Sequence, residues 1–199
     1  MLQLAQVYEG NRPLDAARNY SQVAENSEIY AEAQTRAGQQ FHRAWLDASS
    51  VPPDQRPPQQ DLDSWRASAQ KHLRNGISRT EKSTPETVEA PELLVAAKVS
   101  LAQILNNSGK YQQTIDLLVK SPHSVITAIS VQDETTRPES GVKRREFASL
   151  AAQLLLRAQI GLRKLNEAQA AMELLEKIAG AAKGEAVTEL YRQLGDELK

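Results

Sequence analysis

The chain has 199 residues, 24 Lys plus Arg against 25 Asp plus Glu, and no cysteine. No disulfide, thiolate nucleophile or Cys-based metal site is possible, and so balanced a charge gives no general pull toward nucleic acid or anionic membrane. Apolar residues make up 40% but aromatics only 5%, and Ala, Leu, Gln, Glu, Lys and Arg dominate, which favours helices over a β-branched sheet core.

In chain order, the same grouping recurs: a small residue follows a large one on a first helix, and a small residue reappears one turn into a second. The first pair reads Leu4-Ala5-x2-Tyr8 and then Ala16-x3-Tyr20. The next opens with Ala37-Gly38-x2-Phe41, and its second half stands at Ala69-x3-Leu73-x2-Gly76. A third pair gives Leu101-Ala102-x2-Leu105 and Thr114-x3-Leu118, joined by a Gly109-Lys110-Tyr111 turn. The fourth gives Leu155-Leu156-x2-Gln159 and Ala168-x3-Met172. A last stretch, Tyr191-x2-Leu194-Gly195-x2-Leu198, repeats the first-helix pattern without a second helix.

The intervals between small sites are regular in places: Ala16 to Gly38 is 22, and Ala102 to Thr114 and Leu156 to Ala168 are both 12. They are stretched from Gly38 to Ala69 (31), Ala69 to Ala102 (33) and Thr114 to Leu156 (42). Each stretched interval holds helix breakers. These are Pro52, Pro53, Pro57 and Pro58 in 48–60, Pro85 and Pro91 in 83–91, and Pro122, Pro138 and Gly141 in 121–141. The expectation is a helical array with insertions on its loops. Asn11-Arg12-Pro13 should start a helix, Asp61 and Asp63 should precede the Trp65 helix, and Gly109 and Gly180 should stop helices.

This spacing resembles the tetratricopeptide repeat, W-x2-L-G-x2-Y…A-x3-F with a period of about 34 residues. The resemblance covers roughly 1–47, 61–121 and 143–199, with Gln34, Lys98 and Ala152 where helix A of repeats two to four should carry Trp. Asn26-Ser27-Glu28-Ile29-Tyr30-Ala31-Glu32-Ala33 is similar to a junction of bacterial members, many of which serve envelope assembly. The implied fold is all-α. It is a right-handed solenoid of about four helix-turn-helix repeats (1–27, 28–82, 86–121, 143–180) with an unpaired C-terminal helix at 186–199. Both ends read as cut from a longer protein.

The resemblance implies binding of an extended peptide or partner segment in a concave groove lined by helix A. Its fifth, ninth, twelfth and thirteenth positions single out Gln39, His42, Arg43, Val99, Gln103, Asn106, Asn107, Gln153 and Arg157. Amides there could donate to and accept from a peptide backbone without demanding charge. Gln6 and Thr35 occupy the same positions in repeats one and two. The Lys and Asn clamp of chaperone-binding members is missing, since Leu2, Gln6, Arg36, Ala96 and Ser100 stand there.

No catalytic constellation, cofactor motif or metal spacing is visible. His42, His72 and His123 are scattered, and Gly180-Ala181-Ala182-Lys183-Gly184 lacks the order of a phosphate loop. Lys143-Arg144-Arg145 is a short basic cluster, read as a solvated face. Trp65 reads as core, and Trp45 as either core or a ligand contact. No apolar run approaches the ~20 residues of a membrane span, and Met1–Leu4 is no signal sequence. The expected function is a non-enzymatic protein–protein interaction scaffold; the alternative is a structural or accessory array in a larger enzyme or regulator, or a self-association module. The compartment stays open.

Overall fold

The computed structural model describes residues 5, 6, 8–85, 90–126 and 138–179; the side chains of 138–145, 177 and 179 lie outside that description. The described residues are helical, with no strand among them. The helices are α1 (Pro13–Ser21), α2 (Tyr30–Ser50), α3 (Gln59–Ser83), α4 (Glu92–Asn107), α5 (Tyr111–Ile115, continued by one π turn over Asp116–Lys120), α6 (Pro138–Gly161) and α7 (Leu165–Ala179). A helical segment around Ala5 and Tyr8 precedes α1. The chain forms two compact units, Met1–Ile104 and Leu105–Lys199, with the boundary inside α4.

In the first unit α1 packs on α2 and α2 on α3. Ala5, Ala16, Tyr20, Ala33 and Ala37 form a buried cluster, with Tyr8 and Val23 packed against it. The α2–α3 hairpin is the tightest contact. Ala31-x3-Thr35-x2-Gly38 on α2 faces Ala69-x3-Leu73-x2-Gly76 on α3, an identical spacing run antiparallel. A Cβ on Gly38 would sit 2.6 Å from Leu73 Cγ, 2.8 Å from Leu73 N and 3.0 Å from Ala69 O. A Cβ on Gly76 would meet Thr35 N at 2.9 Å and Ala31 O at 3.1 Å. Only glycine at both places lets the two backbones approach this closely.

The second unit also packs in sequence, α5 on α6 and α6 on α7. Its two interhelical turns are the same motif. After α4, Gly109 adopts φ +68, its N–H donates to Asn106 O (3.0 Å) and the Lys110 N–H donates to Leu105 O (2.9 Å). After α6, Arg163 adopts φ +57, its N–H donates to Ile160 O (2.8 Å) and the Lys164 N–H donates to Gln159 O (2.9 Å). Both are Schellman closures, which satisfy the last carbonyls of a helix through one left-handed residue. Each left-handed residue lies seven positions after the small site of its helix, Ala102 or Leu156. Tyr111, opening α5, lies where a Cβ on Gly161 would be, so its ring rests against bare backbone at the end of α6.

Arg163 is a side chain in a conformation that costs L-residues about 1 kcal/mol. Arg163→Gly should therefore raise the stability of the second unit by about 0.5 kcal/mol, and Gly109→Ala should lower it by about 1 kcal/mol. Urea midpoints of the two variants check both signs.

The residues at the small sites of the recurring pattern are all buried among the described residues: Ala5, Ala16, Gly38, Ala69, Ala102, Thr114 and Ala168, and Leu156, a large residue at such a site. Several expected boundaries move. The stretched interval between Gly38 and Ala69 is mostly not loop. α2 runs on to Ser50 and α3 starts at Gln59, so the hairpin arms are longer and only 51–58 connects them. Phe41, Ala44 and Leu62 are buried along these arms, and once a helix is nucleated each added residue costs little. Asp61 and Asp63 therefore lie inside α3 rather than before it, and no side chain caps the start of α3.

Pro13 does open α1, but the residue before it, Arg12, makes no side-chain cap. The helix expected from 143 starts earlier, because Pro138 opens α6 and Gly141 lies within it. A proline in the first helical turn removes an N–H that has no helical partner anyway. The expected terminal helix at 186–199 and the Gly180 stop lie outside the described residues, as do 1–4, 86–89 and 127–137.

Candidate functional site

The nine residues expected to line a groove divide between the units. Gln39, His42, Arg43, Val99 and Gln103 belong to the first, and Asn106, Asn107, Gln153 and Arg157 to the second. Three of them are buried and present no surface to a ligand: His42, Val99 and Asn106. Val99 is core. Asn106 uses its amide internally, donating from Nδ2 to Leu154 O at 2.9 Å.

Arg43 is exposed but engaged. Its Nη1 donates to Glu9 O (2.8 Å) and its Nη2 to Gly10 O (3.2 Å). These are carbonyls at the end of the first helical segment, which lack helical partners. Arg43 thus closes a helix end. Beside it, Glu9 accepts from the buried Tyr20 hydroxyl (2.6 Å) and from Arg36 Nη1 (3.1 Å), while Arg36 Nε donates to Glu32 (2.8 Å). Burial, and then the carboxylate of Glu9, push the Tyr20 hydroxyl well above its ordinary range.

The accessible remainder is coherent by register. The ninth position of each first helix reads Gln6, Gln39, Gln103 and Arg157; the two ends of that row are exposed and the middle two half-buried. Gln153 is half-buried and Asn107 exposed. At the fifth position Thr35, like Val99, is buried. Sequence register thus picks out ninth-position residues that keep access to solvent, together with His42, Val99 and Asn106, which are buried.

Three polar arrangements were missed. Gln34 Oε1 accepts from His72 Nδ1 (2.7 Å) and from Asn75 Nδ2 (3.4 Å) across the hairpin. Lys98, fully buried, pairs with Glu81 at 2.8 Å. His42 is buried with Nε2 unpartnered and stacks on Trp45, ring centroids 5.9 Å apart. Phe41 stacks on His72 at 5.6 Å. A signal for the first two was present. Gln34 and Lys98 stand where the repeat pattern calls for a buried Trp, and a polar group at a buried register position must find a partner.

Burial lowers the His42 imidazole to about 4. Burial, followed by the charge of Lys71, lowers His72 as well. An unfolded histidine takes its proton near pH 6.5, whereas folded His42 resists protonation until about pH 4. The stability contributed by neutral His42 is complete above pH 6.5 and drains away as pH falls through the interval to 4. By linkage, about 2 kcal/mol should be lost between pH 7 and pH 5, and His42→Leu should flatten that slope in urea titrations.

Among the described residues no group of three His, Asp or Glu side chains is placed to hold a metal ion, and no helix is long and apolar enough to cross a membrane. The chain matches no family model, no curated protein and no solved structure.

Proposed function

We propose that the chain is a tetratricopeptide-like helical scaffold, non-enzymatic, that binds a peptide or partner segment through the solvent-accessible ninth-position residues of its first helices. The observation that carries this reading is the shared register. The small residues picked out by the repeat spacing are buried, while the ninth-position residues Gln6, Gln39, Gln103 and Arg157 keep access to solvent. Sequential helix packing in both units and the repeated Schellman turn support it. Glutamine amides supply both donor and acceptor to a peptide main chain, so the ligand is an extended, mostly uncharged segment.

A peptide array probed with the whole protein tests the reading. Binding should fall by about tenfold or more in a Gln39→Ala, Gln103→Ala, Arg157→Ala triple variant, equivalent to roughly 1.4 kcal/mol. The melting temperature should hold, because none of the three side chains is core. An array without binders, or a triple variant that binds unchanged, removes the groove from consideration.

A second reading, self-association, has one observation of its own. Leu165 opens α7 as Tyr111 opens α5, yet Leu165 is 64% exposed while Tyr111 covers Gly161. Light scattering distinguishes the two readings. A monomer across the working concentration range supports the groove, and an oligomer dissolved by Leu165→Lys supports association through this helix end.

A further inference from the structure

The eight-residue connection between α2 and α3 carries four prolines: Pro52 before a short 3-10 turn over Pro53–Gln55, Pro53 opening that turn, and Pro57 and Pro58 after it. The repeat architecture does not use it. Its backbone on both sides of that turn is polyproline II. Val51 has φ −76 and ψ 158, and Pro52 φ −52 and ψ 148. Arg56 has φ −72 and ψ 144, and Pro58 φ −49 and ψ 141. The reference values are about −75 and +145. Pro52, Pro53, Arg56 and Pro58 are exposed and Pro57 half-buried.

The conformation is held. Arg56 Nε donates to Val51 O at 2.8 Å, tying the two sides of the loop together. The ends continue directly into α2 and α3, whose backbones interlock at Gly38 and Gly76. Among the described residues no carboxylate pairs with the Arg56 guanidinium, and the residue is exposed.

From this arrangement we infer that the Arg56-Pro57-Pro58 side of the loop is a docking epitope for a proline-reading domain, one with an aromatic-lined groove and a carboxylate at its edge. The physical case is preorganisation. A polyproline II segment in a flexible chain must be ordered on binding, whereas here prolines, the cross-loop hydrogen bond and two helices have ordered it already. The proline rings offer flat apolar faces and no N–H to desolvate, which suits stacking on Trp or Tyr. Arg56 adds direction, since only one orientation brings its guanidinium to an acidic rim. This surface is separate from the amide row of the first helices, and either can fail alone.

The test is a panel of recombinant SH3, WW and EVH1 domains titrated against the whole protein by fluorescence anisotropy. At least one domain should bind saturably. Arg56→Ala and the pair Pro57→Ala/Pro58→Ala should each weaken that binding by about tenfold or more. Asp54→Ala, in the 3-10 turn, should leave it unchanged. Circular dichroism melts of the proline variant and of Arg56→Ala, which also removes the Nε–Val51 hydrogen bond, keep loss of the epitope apart from loss of the hairpin. A panel in which nothing binds overturns the proposal, as does a domain that binds all variants equally.

Discussion

Glu81→Ala should destabilise the first unit by about 3–5 kcal/mol, one of the largest single losses available in this fold. The reason is asymmetry of burial. The Lys98 side chain has no exposure, whereas that of Glu81 keeps 20%. Burial lowers the Lys98 ammonium from its ordinary range, and the hydrogen bond and charge of Glu81 work against that shift. Removing Glu81 leaves a cation in the core without its carboxylate, the costly half of a broken buried pair. Lys98→Met should cost less, about 1 kcal/mol, because the released carboxylate can turn toward water. The double variant Glu81→Leu/Lys98→Met should return to within about 1 kcal/mol of the parent, since an apolar pair avoids the desolvation cost. Chemical denaturation of the three variants supplies a double-mutant cycle. An Lys98→Met loss as large as that of Glu81→Ala would show the asymmetry argument wrong.

Gly38→Ala should cost about 2 kcal/mol, although alanine is the better helix former by about 1 kcal/mol. The added methyl meets Leu73 N at 2.8 Å and Ala69 O at 3.0 Å. These are backbone atoms, so no rotamer change relieves the contact and the two helices must separate. Overpacking of this kind costs typically about 1–3 kcal/mol, and a rigid backbone neighbour puts it at the top of that range. Gly76→Ala meets Thr35 N and Ala31 O in the same way and should behave alike. The contrast is Gly10→Ala. Nothing lies within 4 Å of that Cβ and its φ is not positive, so the change should be neutral or stabilising by about 0.5 kcal/mol. Thermal melts of the three variants measure this directly. A Gly38→Ala protein as stable as Gly10→Ala would mean that the hairpin is looser than its geometry states.

The residues legible in the sequence share one property: their signal is local. Large and small apolar residues at helical spacing place Ala16, Gly38, Ala69, Ala102, Thr114, Leu156 and Ala168 in the core, and all are buried. Gly109 stops α4 because only a residue tolerant of positive φ closes a helix by that geometry. Arg163 performs the same closure with no such signal, because arginine carries no preference for it. The all-helical character follows from composition and periodicity together.

For the candidate site the sequence determined register, and register alone. It identified which residues recur at the ninth position, and those keep access to solvent. It could not determine that His42, Val99 and Asn106 are covered, or that Arg43 is spent on the carbonyls of Glu9 and Gly10. Those outcomes depend on partners far away along the chain: Arg43 reaches back 34 residues, Gln34 forward 38 and Asn106 forward 48. Nor could proline content tell a long loop from two lengthened helices joined by 51–58. Local pattern decides which residues form helices and which face is apolar. Tertiary packing alone decides which polar groups on those faces find partners, because burying them without one costs more than the helix itself contributes.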